Sequence, residues 1–307
     1  MSELTLPEVE LNIYSTKDPV EVEVVENYIV TKETSPNIVR HITFNVAGTD
    51  LENRIRVGQS VGILPPGEDD RGRPHKLRLY SISSPTSGEH GKKHLISTTV
   101  KRTIEEFENK LYLGVASNYL SDLQPGDKVK MTGPSGKRFL LPEQAGDYNY
   151  LFFATGTGIA PFRGMIKELF EKGDYTNDCA LVFGCPYRTD LLYVDYLEEL
   201  HKEKDNFHYI KSISRENRRT DGSKYYVQTQ LEEEEELLLP ILKKENTLIY
   251  ICGMKGMEIG IYKQLVRLGL FDYVQIKKDL PESLDDIPWD KFKRYIKPSD
   301  RTFEEVY

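Results

Sequence analysis

The sequence predicts two domains of different fold class: an N-terminal antiparallel β-barrel and a C-terminal α/β domain built on a parallel sheet. The chain has 307 residues, which is long enough for two ordinary domains. Its first half consists of short β-type segments, whereas its second half alternates apolar runs with amphipathic helical stretches. The pattern changes near LPEQAGDYN (141–149), so we expect domains that span 1–142 and 143–307.

Six segments of the first half are typical of β-strands, because they are rich in Val, Ile, Thr and Tyr and are separated by Pro/Gly turns. In chain order they are VEVVENYIVT, IVRHITFNV, SVGILPP, KLRLYSIS, HLISTTVKR and KVKMTGP. One helical segment, NYLSDL, interrupts them. Several short strands without long helices favour an antiparallel barrel.

Four strand–helix pairs follow in the second half. The strands are YLFFATG, CALVFG, FHYIKSIS and TLIYICG, and the helices that follow them are APFRGMIKELFEK, LLYVDYLEELHKE, VQTQLEEEEELLLPILKK and GMEIGIYKQLVRLG. We expect the glutamate run in the third helix to form an exposed helical face. Parallel sheets of this kind bind ligands at the carboxyl ends of their strands, where the strand order reverses.

Composition narrows the class of protein. Mean hydropathy is -0.51, and no stretch approaches the roughly 20 apolar residues that span a bilayer, so we expect no integral membrane protein. The net charge is -8, of which residues 1–142 contribute -1 and residues 143–307 contribute -7, and this balance does not support nucleic-acid binding. Three cysteines form no CxxC pair, and the acidic N-terminus has no secretory pattern, so we expect a cytoplasmic location.

The six histidines show no metal-ligand spacing, and no nucleophile–His–acid set is evident, so we expect neither a metal site nor a serine-hydrolase site. Basic residues cluster in RGRPHKLR (71–78) and VKR (100–102). Each cluster is either a solvated loop or a docking surface for an anionic cofactor or an acidic partner.

The segment FATGTGIAPFRG (153–164) carries the strongest local signal. An apolar strand leads into Gly156, Thr157 and Gly158, and Pro161 is suited to the first turn of a helix. Glycines allow the backbone to approach a phosphate, whose charge is attracted by free N–H groups and by the helix dipole. The alternatives are a phosphate site and a tight structural turn.

The segment ISRENRRTDGSKYYVQTQ (213–230) follows another predicted strand. Ser214, Arg215 and Lys224 have the donors to surround a doubly charged phosphate, and Tyr226 has a ring that can stack on a base. Taken alone, the segment is better explained as an exposed basic loop than as a phosphate site.

Three further segments carry polar groups. In RLYSISSP (78–85), strand alternation sends Arg78 and Tyr80 to one face. In GVASNYL (114–120), Ser117 is expected to be an N-cap with open N–H groups behind it, serving either a ligand or only the helix. In IYICGMKGM (249–257), Cys252 ends a predicted central strand, as a buried packing residue or as a thiol beside a ligand.

These segments occur in an order that resembles the plant-type ferredoxin–NADP+ reductases, and the plastid-like branch most closely. The ordered motifs are RLYS, VKR, GVASNYL, TGTGIAPFR, SRE with K-x-Y-x-Q, CGMKGM and the closing EVY. They extend from Arg78 to Tyr307, and the β-rich segment before them fits the same barrel. Only about the first 20 residues lie outside the resemblance.

The resemblance implies an FAD site in the N-terminal domain. Arg78 is expected to contact the FAD phosphates, Tyr80 to pack on one face of the isoalloxazine, and Ser81 to approach flavin N5. Ser117 resembles the residue that holds the pyrophosphate. The complete expected FAD set is Arg78, Leu79, Tyr80, Ser81, Val100, Lys101, Gly114, Val115, Ala116, Ser117 and Tyr307.

The resemblance also implies an NADP(H) site in the C-terminal domain. The glycine turn is expected to take the pyrophosphate, and the 213–230 segment the 2′-phosphoadenosine. The complete expected NADP set is Lys101, Thr157, Gly158, Ser214, Arg215, Lys224, Tyr226, Gln228, Gly253 and Met254.

Four residues are expected to be catalytic by the same resemblance: Ser81, Cys252, Glu305 and Tyr307. Cys252 is expected beside the nicotinamide and Glu305 beside Ser81, as a polar or proton-relaying group. Tyr307 is expected to stack on the other flavin face, so that it must move before nicotinamide C4 reaches N5. Such a lid prevents overly tight nicotinamide binding and favours turnover.

The implied activity is FAD-dependent electron transfer between NADP(H) and ferredoxin or flavodoxin, catalysed by a monomer with the carrier as a separate protein. One alternative is a flavodoxin-specific or diflavin-type reductase module. Another is a non-catalytic flavin-binding regulatory or scaffold subunit, against which the set of Ser81, Cys252 and Glu305 argues.

The sequence departs from the family pattern in three places. Glu105 stands where plant members have an aromatic residue that stacks on the FAD adenine, so the adenine is expected to be held differently or loosely. Ala116 replaces the usual cysteine before the Ser-Asn pair, which we expect to be tolerated. The loop TIEEFENKLY does not follow the plant pattern, and no role is transferred to it.

Overall fold

A computed structural model describes residues 4–307, and these form two compact units. One unit comprises Leu4–Glu143 and Ala160–Gly173, and is called the barrel unit. The other comprises Gln144–Ile159 and Asp174–Tyr307, and is called the sheet unit. The predicted fold class is confirmed, because the first contains an antiparallel sheet of six strands and the second a parallel sheet of five.

The barrel unit has eight strands and one complete α-helix. They are β1 (Val20–Ile29), β2 (Val39–Asn45), β3 (Ser60–Leu64), β4 (Arg78–Ser81), β5 (Leu95–Lys101), β6 (Ile104–Phe107), β7 (Lys110–Leu113), α1 (Val115–Asp122) and β8 (Lys128–Ser135). The main sheet has the order β4-β3-β8-β1-β2-β5, with every pair antiparallel. An antiparallel bridge between Ile82 and Thr98 joins its two edge strands, and this closes the barrel. β6 and β7 form a separate hairpin.

The interior of the barrel is filled by apolar side chains, most of them β-branched, that the strands send inward. Val24, Ile42, Phe44, Val61 and Met131 are all fully buried there. Because each strand alternates its faces, the apolar positions of these short segments suffice to form one core.

A buried ion pair ties the helix that contains Arg163 to the barrel. Arg163 donates to both carboxylate oxygens of Glu89, at 2.8 Å each, and to the carbonyl oxygen of Ser83 at 2.9 Å. Ser97 also donates to Glu89, at 2.8 Å. Burial raises the pKa of Glu89, but hydrogen bonds from His41 and Arg163 outweigh it and hold this pKa well below its usual range. Glu89 is therefore a paired buried anion, whose charge is compensated by the guanidinium.

From Gln144 to Tyr307 the chain contains seven strands and five α-helices, and all of them belong to the sheet unit except the greater part of α2, which belongs to the barrel unit. They are β9 (Asn149–Thr155), α2 (Ile159–Phe170), β10 (Cys179–Cys185), α3 (Val194–Glu203), β11 (Phe207–Ile213), α4 (Gln230–Glu233), α5 (Glu235–Leu242), β12 (Thr247–Gly253), α6 (Met257–Arg267), β13 (Val274–Ile276), β14 (Ile296–Pro298) and β15 (Thr302–Val306). The parallel sheet has the order β11-β10-β9-β12-β15. Strand order therefore reverses between β9 and β12, which is where a ligand crevice is expected.

The predicted third helix is broken in the structure. It becomes a 3-10 turn (Val227–Thr229) followed by α4 and α5, with a non-helical Glu234 between the two helices. The glutamates are exposed as predicted, but two of them, Glu232 and Glu233, both bind Arg219, at 2.8 and 2.6 Å. This local pairing, together with repulsion between like charges one helical turn apart, favours the break.

The end of the chain forms the fifth strand of the parallel sheet, β15, which pairs with β12. The ring of Phe303 stacks on that of Tyr250 at 4.5 Å between centroids, and Glu304 bonds to Tyr262 and Lys293. These contacts and the ladder fix the strand that carries Glu305 and Tyr307. Within residues 4–307, no helix combines the length and apolarity that crossing a membrane requires.

Candidate active site

The strand β4 carries the polar segment predicted to face a flavin. It pairs with β3 so that Tyr80 lies opposite Val61 and Ser81 opposite Ser60. Tyr80 is half-buried against the barrel core, and burial raises its pKa to about 12, so its phenol is neutral at physiological pH. Arg78 is exposed, and Leu79 is 56% exposed although it is apolar. An exposed leucine beside an exposed arginine is unusual for a simple amphipathic strand and is consistent with a ligand-facing edge.

The expected N-cap role of Ser117 is wrong. Helix α1 begins at Val115 and its N-cap is Gly114, so Ser117 lies inside the first turn. Its hydroxyl donates to the Gly114 carbonyl oxygen and accepts from the Thr103 N–H, both at 3.2 Å. Glycine is required at this turn, because a Cβ on Gly114 would lie 2.5 Å from Ser117 Oγ and 2.8 Å from Thr103 Cβ. Ser117 thus shapes the loop, while the first N–H groups of α1 have no intrahelical acceptor.

The remaining barrel residues of the predicted FAD set surround this helix start. Val100 is buried at the end of β5, and the adjacent Lys101 is exposed. Val115 is 47% exposed, and Ala116 is buried. Arg102, which the sequence did not single out, donates to Asp122 at 2.8 Å and so ties the end of β5 to α1.

The glycine turn of the sheet unit lies at the carboxyl end of β9. Gly156 has φ +53°, a left-handed conformation that favours glycine. Gly158 packs against the backbone of Cys252 so closely that a Cβ would collide with the Cys252 carbonyl oxygen. Gly253 has φ +146°, and a Cβ there would collide with Thr155. These two close contacts, of Gly158 with Cys252 and of Gly253 with Thr155, hold the turn between β9 and α2 against the end of β12.

The C-terminal residue is bonded to the end of β12 and the loop after it through its backbone, and to the glycine turn through its side chain. Its N–H donates to the Gly253 carbonyl oxygen, and its carbonyl oxygen accepts from the Lys255 N–H, both at 3.0 Å. The Tyr307 hydroxyl lies 2.7 Å from Thr157 Oγ1. The Tyr307 side chain is 65% exposed, so its ring is held by one hydrogen bond while its backbone is fixed on both sides.

Cys252 and Glu305 are neighbours in the ladder between β12 and β15. Burial, and to a lesser extent the Glu305 charge, raises the pKa of the Cys252 thiol, so the sulfur is protonated at neutral pH. Burial raises the pKa of Glu305 to about 7. A carboxyl group with this pKa both takes up and releases a proton near neutrality.

The segment 213–230, predicted to bind the 2′-phosphoadenosine and called the adenosine loop, follows β11 and lies beside the end of β10. The Ser214 N–H donates to the Cys185 carbonyl oxygen, and the Arg215 N–H to the Pro186 carbonyl oxygen, both at 3.0 Å. The Arg215 guanidinium lies 5.7 Å from the centroid of the Tyr187 ring. Lys224 is exposed, Tyr226 is 46% exposed, and Gln228 packs where a Cβ on Gly260 would lie.

The structure therefore brings most of the predicted NADP and catalytic residues to one edge of the parallel sheet. Strands β9, β12 and β15 end beside the glycine turn and Tyr307, and β10 and β11 end beside the adenosine loop. The residues at the first position are Thr157, Gly158, Cys252, Gly253, Met254, Glu305 and Tyr307. Those at the second are Ser214, Arg215, Lys224, Tyr226 and Gln228.

Sequence reasoning missed two residues that hold this edge together. Thr155 accepts a hydrogen bond from the Met254 N–H at 2.9 Å, and so joins β9 to the loop after β12. Its position directly before the glycine turn was the available signal. Tyr187 supports Arg215, but nothing in the sequence indicated that a residue 28 positions earlier would reach this loop.

Comparisons with known proteins agree with this architecture. Residues 152–263 match the oxidoreductase NAD-binding domain family. A ferredoxin–NADP reductase from Synechocystis sp. is 39% identical, with 98% of this chain and 70% of that protein covered. The ferredoxin–NADP reductase of Spirulina sp. is 37% identical, with 98% and 99% covered. The chloroplastic leaf isozyme 1 of Arabidopsis thaliana is 38% identical, with 97% and 79% covered.

Solved structures give the same result. The ferredoxin–NADP+ reductase of Plasmodium falciparum superposes with a TM-score of 0.71 at 26% identity, with 97% of this chain and 99% of that chain covered. The two-unit architecture is thus shared over nearly the whole length.

Proposed function

The chain belongs to the ferredoxin–NADP+ reductase family, and on that premise we propose which of its residues carry the activity. It is an FAD-dependent oxidoreductase that transfers electrons between NADP(H) and ferredoxin. When bound, FAD exchanges a hydride with NADP(H) and single electrons with an iron–sulfur protein. The alternative of a non-catalytic flavin-binding subunit gains no support from these relatives, which are named as reductases.

We place the FAD site in residues 1–142, whose residues fit a flavin dinucleotide. The turn at Gly114 leads into the open N–H groups at the start of α1, and these donors and the helix dipole stabilise a diphosphate. Lys101 and Arg78 supply positive charge. Tyr80 presents a neutral ring for the isoalloxazine, and Ser81 supplies a hydroxyl beside it.

We place NADP(H) along the carboxyl edge of the parallel sheet, in residues 143–307. Thr157 and Gly158 offer backbone N–H groups to the pyrophosphate, as expected for a glycine turn before a helix. Arg215 and Lys224 neutralise the 2′-phosphate, with Ser214 as a further donor. Tyr226 is exposed and flat, and stacks on the adenine.

The nicotinamide end is assigned to Cys252, Gly253 and Met254, with Tyr307 as the side chain that must leave. Because the Tyr307 backbone is fixed by Gly253 and Lys255, the ring opens by rotation about its side-chain bonds, while the strand remains in place. The opening breaks the hydrogen bond to Thr157. Tyr307 therefore opposes nicotinamide binding by a small, defined free energy and helps the product to leave.

Glu305 holds or releases a proton in this part of the site. Its carboxyl group titrates near pH 7 because it is buried, and the neighbouring Cys252 thiol remains neutral. The site therefore contains one group that changes charge around neutral pH. We propose that Glu305 relays this proton and that Cys252 acts through packing beside the nicotinamide.

The observation that carries the coenzyme assignment is the position of Arg215 and Lys224 after β11, at the same sheet edge as the glycine turn. Replacing Arg215 with alanine is expected to raise the KM for NADPH at least several-fold and to leave that for NADH nearly unchanged, because NADH lacks the 2′-phosphate. Steady-state reduction of a dye with each coenzyme measures this. Lys202→Ala, an exposed lysine on α3, is the matched control. Equal losses with both coenzymes would rule out the 2′-phosphate assignment.

We further propose that flavodoxin is accepted as a second carrier and that the enzyme acts as a monomer in the cytoplasm. All three cysteines are free and buried, which suits a reducing compartment. Reduction of cytochrome c by NADPH, with native ferredoxin or flavodoxin added in turn, compares the two carriers. A reductase that responds to ferredoxin alone would remove flavodoxin from the proposal.

A further inference from the structure

The hairpin of β6 and β7 leaves an unusual amount of apolar surface exposed. Its two strands pair in register from Ile104 opposite Leu113 to Phe107 opposite Lys110. Its exposed apolar side chains, with exposed fractions, are Ile104 (50%), Phe107 (64%), Leu111 (64%), Tyr112 (51%) and Leu113 (55%). A cluster of exposed apolar side chains, here called the patch, usually marks a binding surface, and its members divide between the two faces of the hairpin.

The register shows which side of the hairpin faces the start of α1. Thr103 lies opposite Gly114, because the Gly114 N–H donates to the Thr103 carbonyl oxygen at 3.0 Å. A Cβ on Gly114 would point at Ser117 Oγ, so the side chains of that pair are directed towards Ser117. Cross-strand partners share a face and the face alternates along each strand. The next pair on the same face is Glu105 with Tyr112.

Only one aromatic ring is both on this face and close to the helix start. Tyr112 is two residues from Gly114, which corresponds to ~7 Å along a strand. Phe107 shares the face but lies a further two positions along the hairpin. The apolar residues Ile104, Leu111 and Leu113 are on the opposite face. Continuity with the helix start therefore singles out Tyr112 from the patch.

We propose that Tyr112 is the platform on which the adenine of FAD stacks. The inference depends on the proposed FAD site, since it places the diphosphate at the start of α1 and the adenine one ribose further along the same face. An exposed tyrosine offers a large flat surface at low entropic cost, and stacking on a base is independent of hydrogen-bond pattern. The aromatic contact that Glu105 cannot make is thus supplied from the neighbouring strand, by the residue directly opposite it.

The test compares flavins that differ only in the adenosine half. FAD and FMN are each titrated into the full-length apoprotein, and binding is followed by flavin fluorescence. Tyr112→Ala is expected to weaken FAD binding at least about fivefold, as for loss of one base–aromatic stack, and to leave FMN binding unchanged. Tyr112→Phe keeps the ring and should bind FAD like the wild type. Leu111→Ala, on the opposite face, is the matched control and should also bind FAD like the wild type.

Each other outcome has a defined meaning. Unchanged FAD affinity in Tyr112→Ala overturns the assignment, as does an equal loss for FMN, which would indicate a distorted helix start. If Tyr112→Ala abolishes a concentration-dependent dimer while FAD affinity is unchanged, the patch serves a second copy of the chain and the proposal is wrong. A wild-type protein that binds neither flavin refutes the proposed function itself.

Discussion

Removing the Thr157 hydroxyl is expected to strengthen nicotinamide binding, which is the opposite of what loss of a ligand contact usually does. Thr157 Oγ1 lies 2.7 Å from the Tyr307 hydroxyl, and the Tyr307 backbone is fixed by Gly253 and Lys255. Thr157→Val deletes the hydroxyl and keeps the branched shape. The ring then loses this hydrogen bond in its closed position, so displacing it requires less free energy.

The size of the effect follows from the exposure of the bond. A neutral hydrogen bond contributes about 0.5–1.5 kcal/mol net, and the lower part of this range applies because Tyr307 is 65% exposed and water competes. Since about 1.4 kcal/mol corresponds to tenfold in Kd, NADP+ should bind about two- to fivefold more tightly. Calorimetric titration of the oxidised enzyme with NADP+ measures this change.

A matched ligand separates the ring from the phosphate site. The 2′-phosphorylated ADP-ribose moiety of NADP+ lacks the nicotinamide and does not compete with Tyr307, so its affinity reports only the phosphate contacts of Thr157. The ratio of the two affinities should therefore shift in Thr157→Val and remain unchanged in Thr157→Ser, which keeps the hydroxyl. A double-mutant cycle with Tyr307→Phe should be non-additive, because both changes delete one bond. Additive effects, or a ratio that is the same in wild type and Thr157→Val, would refute the role of this hydrogen bond in holding the Tyr307 ring.

Three further predictions concern the groups behind the site. Burial holds the folded-state pKa of Glu305 near 7, above its ordinary value of 4.5, so the folded state binds more protons between these pH values. Relative to Glu305→Gln, the wild type should therefore lose stability as pH rises from about 4.5 to 7, by at most about 3 kcal/mol; parallel urea-midpoint curves would contradict this. Arg163→Met removes the guanidinium that compensates the buried Glu89 carboxylate and should lower the free energy of unfolding in urea by about 3–5 kcal/mol; a loss below about 1 kcal/mol would count against a buried ion pair. Gly158→Ala forces a Cβ against the Cys252 carbonyl oxygen and should impair NADP+ binding. The Cβ of Gly156→Ala meets open space, so this variant should lose only about 1–2 kcal/mol of folding free energy for its positive φ. Equal NADP+ affinities in the two variants would contradict the close packing at Gly158.

Local sequence patterns were sufficient for the fold class and for the strands whose ends bring the candidate residues to one edge of the parallel sheet. Period-two segments between Pro/Gly turns predicted the barrel, and apolar runs followed by helices predicted the parallel sheet. In a parallel sheet every strand ends at the same edge, so residues that directly follow strands, such as Thr157, Ser214 and Met254, are brought together by topology alone. This is why candidate residues far apart in sequence were recoverable.

The errors arose where distant contacts override a local preference. Ser117 looked like an N-cap because serine favours that position, but Gly114 occupies it, since only a residue without Cβ fits beside Thr103. The glutamate run looked like one helix, but Arg219 binds two of its side chains and the helix breaks at Glu234. Arg219 and Thr103 lie 10 or more residues from the positions they alter, beyond the reach of a periodicity argument.

The register of two strand pairs explains the placement of Tyr307 and of Tyr112. Pairing of β12 with β15 sets Cys252 opposite Glu305, and the next residues of each strand then place Tyr307 on the carbonyl of Gly253, within reach of Thr157. Pairing of β6 with β7 sets Tyr112 opposite Glu105. In both cases a one-residue slip would turn the side chain to the other face. The positions of Tyr307 and Tyr112 are therefore specified by register, through backbone ladders that do not depend on the identity of the ring they carry.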